Sequence, residues 1–208
     1  QIIDRKKDLV KLQMGEHVAL SKVEEVVGLA RFLMDAHAKR HRQHTIERAM
    51  ALLTGPPAAG KTCLVSQLVV HMLAAAGDDA AVVPIVVKVQ SLQRLMLMAE
   101  HQPVFARAWN WGDAFLRCTY GEQSELYRFL NQAMMARRAV LLVDGIDEGG
   151  AKRDAIERHV VEVLAPQGHV LFVTSRPAGL KEGRFGERVW RLKLRPLTER
   201  QQRRVVAQ

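Results

Sequence analysis

The stretch TGPPAAGKT, residues 54–62, decides which fold this chain can form. It holds every defined position of the pattern GxxxxGK[ST], namely Gly55, Gly60, Lys61 and Thr62. A short apolar run, residues 49–53, precedes it, and a helical pattern over residues 61–76 follows it. Strand, glycine-containing loop and helix, in this order, are the setting that a phosphate-binding loop requires. The stretch therefore predicts a nucleotide site.

The spacing of the motif follows from the chemistry of phosphate. Backbone N–H groups of such a loop point inward, and the helix that follows presents its positive end to the anion. Lys61 is expected to reach the β and γ phosphates, and the Thr62 hydroxyl to bind magnesium. The residues predicted to bind the nucleotide are those of the loop and the first helical turn: Gly55, Pro56, Pro57, Ala58, Ala59, Gly60, Lys61, Thr62 and Cys63.

Four residues inside the loop bear on its backbone. Pro56 and Pro57 have no N–H group, so the amides that hold phosphate must come from later residues. Ala58 and Ala59 suggest a loop that stays at negative φ, because alanine disfavours positive φ.

A second motif, AVLLVDGIDEGG at residues 139–150, predicts a buried strand that ends at Asp144. The Asp144 carboxylate can hold magnesium directly or through water. In an extended chain Glu148 would lie about 13 Å beyond it. A turn at Gly145 would instead return Asp147 and Glu148 to within about 6 Å. Both are candidate catalytic acids for activating water, and the residues alone leave open which one is the base.

The remaining patterns predict an α/β P-loop NTPase fold with a central, mostly parallel five-stranded sheet flanked by helices, plus an N-terminal helical segment. Strands are predicted at residues 49–53, 80–89, 139–143, 169–174 and 189–194. Helices are predicted at residues 18–50, 61–76, 91–99, 103–116, 121–138 and 151–164. Pro84 suggests that its strand lies at a sheet edge or has a bulge, and Ser124 is a candidate helix N-cap.

Three polar residues, Thr174, Ser175 and Arg176, end the fourth predicted strand. In doubly wound sheets ligands bind beyond the carboxyl ends of the strands. Arg176 is therefore expected near the nucleotide.

The chain resembles the NACHT-type NTPases, in the signal-transduction branch of AAA-related ATPases. LLVDGIDE at residues 141–148 is similar to their modified Walker B motif, and VLFVTSRPAG at residues 170–179 to their sensor 1 strand. The resemblance implies that Asp144 is the magnesium ligand, that Glu148 and Asp147 are the catalytic acids, and that Arg176 senses the γ phosphate. It also implies three parts: an N-terminal helical segment (1–45), a nucleotide-binding domain (46–195) and the start of a truncated helical domain (196–208).

Composition bears on the cellular compartment of the protein and on the partners that it could bind. No apolar run approaches the roughly 20 residues of a membrane span. Two cysteines, Cys63 and Cys118, favour a reducing, cytoplasmic setting over secretion. The chain begins at Gln1, which suggests a piece of a longer protein. The net charge of +9 permits nucleic-acid binding, but the scarcity of aromatic residues among the basic ones does not favour it.

Together these features predict a module that binds ATP or ADP with magnesium and acts as a signalling switch. In this hypothesis ATP permits self-association through the NTPase domain, and slow hydrolysis resets the switch. The alternatives are an AAA-type ATPase that couples hydrolysis to remodelling, and a basic nucleic-acid-binding P-loop protein. GTP is not favoured, because no [NT]KxD guanine motif follows. His37, His41 and His44 would share a helix face but lack a further ligand, so a solvated basic face is favoured over zinc.

Overall fold

A computed structural model of the chain describes residues 18–20, 23–43, 49–76, 82–186 and 189–194. In these ranges six strands form one parallel sheet, in the order β1-β6-β2-β5-β4-β3. The strands are β1 (Val18–Leu20), β2 (Ala49–Thr54), β3 (Val83–Lys88), β4 (Ala139–Asp144), β5 (Val170–Ser175) and β6 (Trp190–Leu194). The predicted α/β class with a parallel sheet is confirmed, and β1 adds a short strand to the five that were predicted.

Helices cover both faces of the sheet. In the described ranges they are α1 (Val23–Gln43), α2 (Lys61–Ala76), α3 (Val89–Leu97), α4 (Gln102–Arg107), α5 (Trp111–Tyr120), α6 (Glu125–Met135) and α7 (Arg153–His159). A π-helical turn, Val160–Leu164, continues α7. None of these helices is long and apolar enough to cross a bilayer.

The two faces of the sheet explain why β4 and β5 are apolar along their length. Successive residues of a strand point to opposite faces. Leu141 and Val143 accordingly join a core with α3 to α7, whereas Val140 and Leu142 join a second core with α1 and α2. Every residue of β4 and β5 is buried. A parallel sheet covered on both sides leaves no solvated face where polar residues could alternate.

The N-terminal prediction of a helix over residues 18–50 is wrong at its start and at its end, where residues 49–50 belong to β2. Residues 18–20 form β1, which pairs with the edge of β6 in the register Val18 to Leu192. Hydrogen bonding along this edge overrides the helical pattern of the sequence. The helix itself is α1, whose Leu29 and Leu33 are buried in the same core as α2. Residues 44–48 lie outside the described ranges, and the predicted boundary at residue 45 stays a prediction.

The single helix predicted over residues 103–116 is also wrong, because two helices occupy this region. Asn110 separates α4 from α5 with an extended backbone, and its side chain accepts a hydrogen bond from Asp113 N at 2.7 Å. This N-cap starts a new helix where periodicity alone continues the old one. The cap predicted at Ser124 is confirmed, since its hydroxyl accepts from Tyr127 N at 3.1 Å. Pro84 lies in β3, at the sheet edge, as predicted.

The burial of His159 beside Trp111 makes stability depend on pH. The rings are 4.2 Å apart and nearly parallel, and Trp111 N donates to His159 Nε2 at 2.9 Å. Burial lowers the pKa of His159 to about 4. The unfolded chain, with a histidine pKa of about 6.5, therefore binds a proton more readily than the folded chain. The free energy of unfolding is therefore unaffected by this group above pH of about 6.5. It decreases as the pH falls from there towards 4, the pKa in the folded chain.

We expect the free energy of unfolding to fall by about 1–2 kcal/mol between pH 7.5 and 4.5 through His159, the partial exposure of the ring reducing the full effect. Urea unfolding of the wild type and of His159→Gln measures this contribution. The variant is expected to lose less stability over the same interval. Equal losses in both proteins would contradict the assignment.

Candidate nucleotide-binding site

The phosphate loop joins β2 to α2 and begins beside the end of β5. Gly55 N donates to Ser175 O at 3.2 Å, and a Cβ on Gly55 would come within 3.0 Å of Leu194 Cβ. Glycine at this position thus lets the loop pass close to β6. Gly60, with φ of +90°, then directs the chain into α2, where Leu64 N donates to Gly60 O at 2.9 Å.

The prediction that the alanines hold negative φ is wrong for Ala58, which has φ of 55°. Ala59 N donates to Pro56 O at 3.3 Å, so the chain turns tightly after the two prolines. A turn of this kind places one residue in the left-handed region, whatever its side chain prefers. The loop faces solvent at Pro56, Pro57 and Ala58, and the helix that follows it is open at Thr62 and Cys63.

Lys61 reaches back across the loop. Its Nζ donates to Gly55 O at 2.8 Å and to Pro56 O at 2.9 Å. The lysine ammonium has three donors, so one is left for a phosphate oxygen while two brace the loop. The contact of this cation with the β and γ phosphates stays a prediction.

Asp144 ends β4 between two threonines. Thr62 Oγ1 donates to Asp144 Oδ2 at 2.9 Å, and Thr174 Oγ1 donates to Asp144 Oδ1 at 2.6 Å. Each carboxylate oxygen therefore has its own hydroxyl donor, and Asp144 itself is buried. The parallel register brings the ends of β2, β4 and β5 to the same edge of the sheet.

The pairing of Thr62 with Asp144 fits a magnesium site. Magnesium is bound in proteins by oxygen, commonly by one or two carboxylates together with phosphates and water. A hydroxyl and a carboxylate within 2.9 Å of each other, directly after the phosphate loop, supply this donor set. In the described ranges no group of three or more His, Cys, Asp or Glu side chains could hold a metal.

Gly145 makes the predicted turn. Its φ of 79° and ψ of 57° are left-handed, and Glu148 N donates to Gly145 O at 2.8 Å. A short 3-10 turn, Ile146–Glu148, follows, so the acids fold back instead of running on. The Glu148 carboxyl carbon lies 3.1 Å from where a Gly145 Cβ would stand. The absence of a side chain at Gly145 therefore makes room for the Glu148 carboxylate beside the tip of β4.

Asp147 and Glu148 have different surroundings. The Asp147 carboxylate contacts Ser175 and Arg176 at the end of β5, with Arg176 Nε at 2.9 Å from Oδ2. The Glu148 side chain is exposed and, in the described part of the chain, makes no hydrogen bond or ion pair. The two candidate acids thus lie in one turn, but only Glu148 has an uncommitted carboxylate there.

Thr174 has a role that the sequence analysis did not assign to it. The sequence marked its position at the end of a buried strand, whereas the structure shows a fully buried hydroxyl that donates to Asp144 and accepts from Gly145 N at 2.8 Å. It holds the metal-site carboxylate and the turn that follows it. A polar residue that ends an otherwise apolar strand was the signal for this role.

We expect Thr174→Val to lower the free energy of unfolding by about 1–3 kcal/mol, because Gly145 N would lose its buried partner. ATP turnover should fall as well, since Asp144 loses one of its two hydroxyl donors. Urea unfolding and turnover are measured beside Thr174→Ser, which keeps the hydroxyl and is expected to stay close to the wild type. Equal effects of the Val and Ser variants would contradict this role.

His37 does not take part in this site. It is buried in α1, and its Nε2 lies 3.0 Å from Arg137 O. His44 lies outside the described ranges.

A parallel sheet with a phosphate loop after one strand and a buried aspartate at the tip of another defines a P-loop nucleoside triphosphatase. The family model described as "AAA domain" matches residues 31–172, which is more than half of the chain. The chain therefore belongs to the AAA domain family. Membership of this family makes the chain a nucleotide-binding P-loop ATPase domain.

Two solved structures share the fold. PCH-2 of C. elegans has a TM-score of 0.50 and 13% identity, over 90% of this chain and 47% of that chain. The Aeropyrum pernix ORC1 protein, solved in complex with DNA, has a TM-score of 0.50 and 16% identity, over 98% of this chain and 52% of that chain. The chain thus spans about half the length of each, and identities this low show the fold alone. No curated protein matches the chain.

Proposed function

We propose that the chain is a NACHT-like nucleotide-binding domain that acts as a signalling switch in a larger protein. ATP with magnesium would hold a form that self-associates through this domain, and slow hydrolysis would end that form. The turn at Gly145 carries the proposal, because it folds two further acids, Asp147 and Glu148, back behind Asp144. These acids belong to LLVDGIDE, residues 141–148, on which the resemblance to NACHT-type NTPases rests.

The proposed roles follow the positions of the side chains. The loop from Gly55 to Cys63 would bind the phosphates of ATP or ADP through its amides, and Lys61 would contact the β and γ phosphates. Thr62 and Asp144 would hold magnesium, which would neutralise charge on the phosphates.

Hydrolysis requires a group that orients water and takes its proton. Glu148 is the stronger candidate for this base, because its carboxylate lies over Gly145 and has no partner in the described ranges. Asp147 was an equal candidate from the sequence, but its carboxylate oxygens already accept from the end of β5. Arg176 follows β5 and would contact the γ phosphate as a sensor.

The test compares nucleotide states in the intact protein. Self-association is measured by sedimentation with magnesium and ATP, with ADP, and without nucleotide. A switch requires that the ATP and ADP forms differ in self-affinity, each tenfold difference corresponding to about 1.4 kcal/mol. Equal self-association in all three conditions would contradict the proposal.

The AAA family match is equally consistent with an ATPase that couples turnover to remodelling. Fast turnover that requires an arginine from a neighbouring subunit would support this alternative over a slow switch. A basic nucleic-acid-binding protein would instead show binding that falls steeply with salt. A reducing, cytoplasmic setting is part of the proposal and is supported by the free cysteines Cys63 and Cys118.

A further inference from the structure

The Asp147 side chain is held almost entirely by the end of β5. Its Oδ1 accepts from Arg176 N at 2.9 Å and from Ser175 Oγ at 3.4 Å, while Oδ2 pairs with Arg176 Nε at 2.9 Å. The side chain is 9% exposed, whereas that of Arg176 is 48% exposed. Asp147 therefore binds both the backbone and the side chain of one residue, which fixes the direction in which that residue leaves the strand.

The contact leaves the outer part of the guanidinium uncommitted. Arginine carries five N–H donors, and the Asp147 carboxylate pairs with the guanidinium at its Nε edge, 2.9 Å from Oδ2. In the described ranges Nη1 and Nη2 of Arg176 make no hydrogen bond or ion pair. Four donors thus stay available on a group whose inner edge is fixed, and paired N–H groups of this kind bind phosphate oxygens well.

The position of Arg176 relates these donors to the phosphate loop. Ser175, the preceding residue, accepts a hydrogen bond through its carbonyl from Gly55 N, the first glycine of the loop. A residue that leaves β5 at this point starts beside the loop. The Asp147 carboxylate contacts the backbone N and the Nε of Arg176, and these two contacts limit the region that the Nη groups of Arg176 can reach.

We propose that Asp147 is a positioning residue, which orients Arg176 so that its Nη groups contact the terminal phosphate of ATP. Asp147 then discriminates ATP from ADP through Arg176 and does not activate water. The proposal rests on the proposed function, because it concerns the same nucleotide site, and it assigns the two acids of the turn to separate tasks. Glu148 faces the tip of β4, and Asp147 orients the arginine that follows β5.

The chain offers a matched control on the same segment. Asp154 in α7 pairs with Lys181 at 2.6 Å and with Arg184 at 2.8 Å, so it also anchors the segment that follows β5. Asp154→Asn removes a carboxylate that holds this segment without touching Arg176. An effect that arises only from loosening the segment would appear in both variants.

The experiment measures the affinities for ATP and for ADP, with magnesium, by calorimetric titration of the intact protein. Asp147→Asn and Arg176→Ala are each expected to lower the ratio of ATP to ADP affinity by about tenfold, the size of a charge-assisted contact. The double variant should be no worse than Arg176→Ala alone, because Asp147 acts through Arg176. Asp154→Asn should keep the wild-type ratio.

Several results would overturn the proposal. One is an unchanged ratio of ATP to ADP affinity in Asp147→Asn, which includes equal losses of both affinities. The others are additive decreases of this ratio in the double variant and the same decrease of the ratio in Asp154→Asn. A turnover defect like that of Glu148→Gln, with the ratio unchanged, would make Asp147 the base instead. If Asp147→Asn does not fold, Arg176→Lys tests the contact from the other side, because lysine keeps the charge but lacks Nε. A wild-type ratio in Arg176→Lys would then overturn the proposal.

Failure here is separable from failure of the proposed function. One outcome is a lowered ratio of ATP to ADP affinity in Asp147→Asn together with wild-type self-association that is the same with ATP, with ADP and without nucleotide. This outcome would refute only the switch. Nucleotide-dependent self-association with an unchanged ratio in Asp147→Asn would refute only the positioning role.

Discussion

Lys61→Ala is expected to lower the affinity for ATP by about a hundredfold, or about 2.7 kcal/mol. Two effects act together. The ammonium that would pair with the β and γ phosphates is lost, and so are its hydrogen bonds to Gly55 O and Pro56 O, which brace the loop. The measurement is calorimetric titration with ATP and magnesium.

The matched control for this variant is Lys152→Ala, which removes a lysine from the turn before α7. It should bind ATP like the wild type. Thermal unfolding without nucleotide should show that Lys61→Ala is folded, because Lys61 is not part of either core. Wild-type affinity in a folded Lys61→Ala variant would contradict the phosphate-loop assignment.

Glu148→Gln is expected to slow ATP hydrolysis by about a hundredfold while ATP affinity stays unchanged, as for loss of a general base. Glutamine fills the space over Gly145 that glutamate occupies, but it cannot take a proton from water. Single-turnover hydrolysis and calorimetric titration, run on the same preparation, separate the chemical step from binding.

Glu162→Gln is the control, since Glu162 is an exposed glutamate on the turn after α7. Its turnover should match that of the wild type. Unchanged turnover in Glu148→Gln would remove Glu148 as the base and leave Asp147 as the other candidate acid of the turn.

Much of the fold could be predicted because it depends on local patterns. The loop at residues 54–62 and the apolar runs of β4 and β5 need only a short window of sequence to be recognised. The missed elements depend on distant partners or on single side chains. β1 exists because β6 lies beside it, and α5 begins at Asn110 because one amide caps it.

The nucleotide site likewise has features that the sequence predicts and features that it does not. The predicted turn at Gly145 is confirmed, since this residue has φ of 79° and ψ of 57°, a left-handed conformation that glycine adopts readily. The left-handed Ala58 could not be predicted, since alanine itself disfavours that region and only the closure of the loop imposes it.

The sequence by itself determined the phosphate loop, the acid at the tip of β4 and the glycine that bends the chain behind it. These are features of a few consecutive residues, whose chemistry and backbone freedom act locally. Only the tertiary structure decided which partners those groups have. Thr174 reaches Asp144, and Arg176 reaches Asp147, across about 30 residues of chain. The parallel register of β4 and β5 brings them together, and no local pattern encodes that pairing.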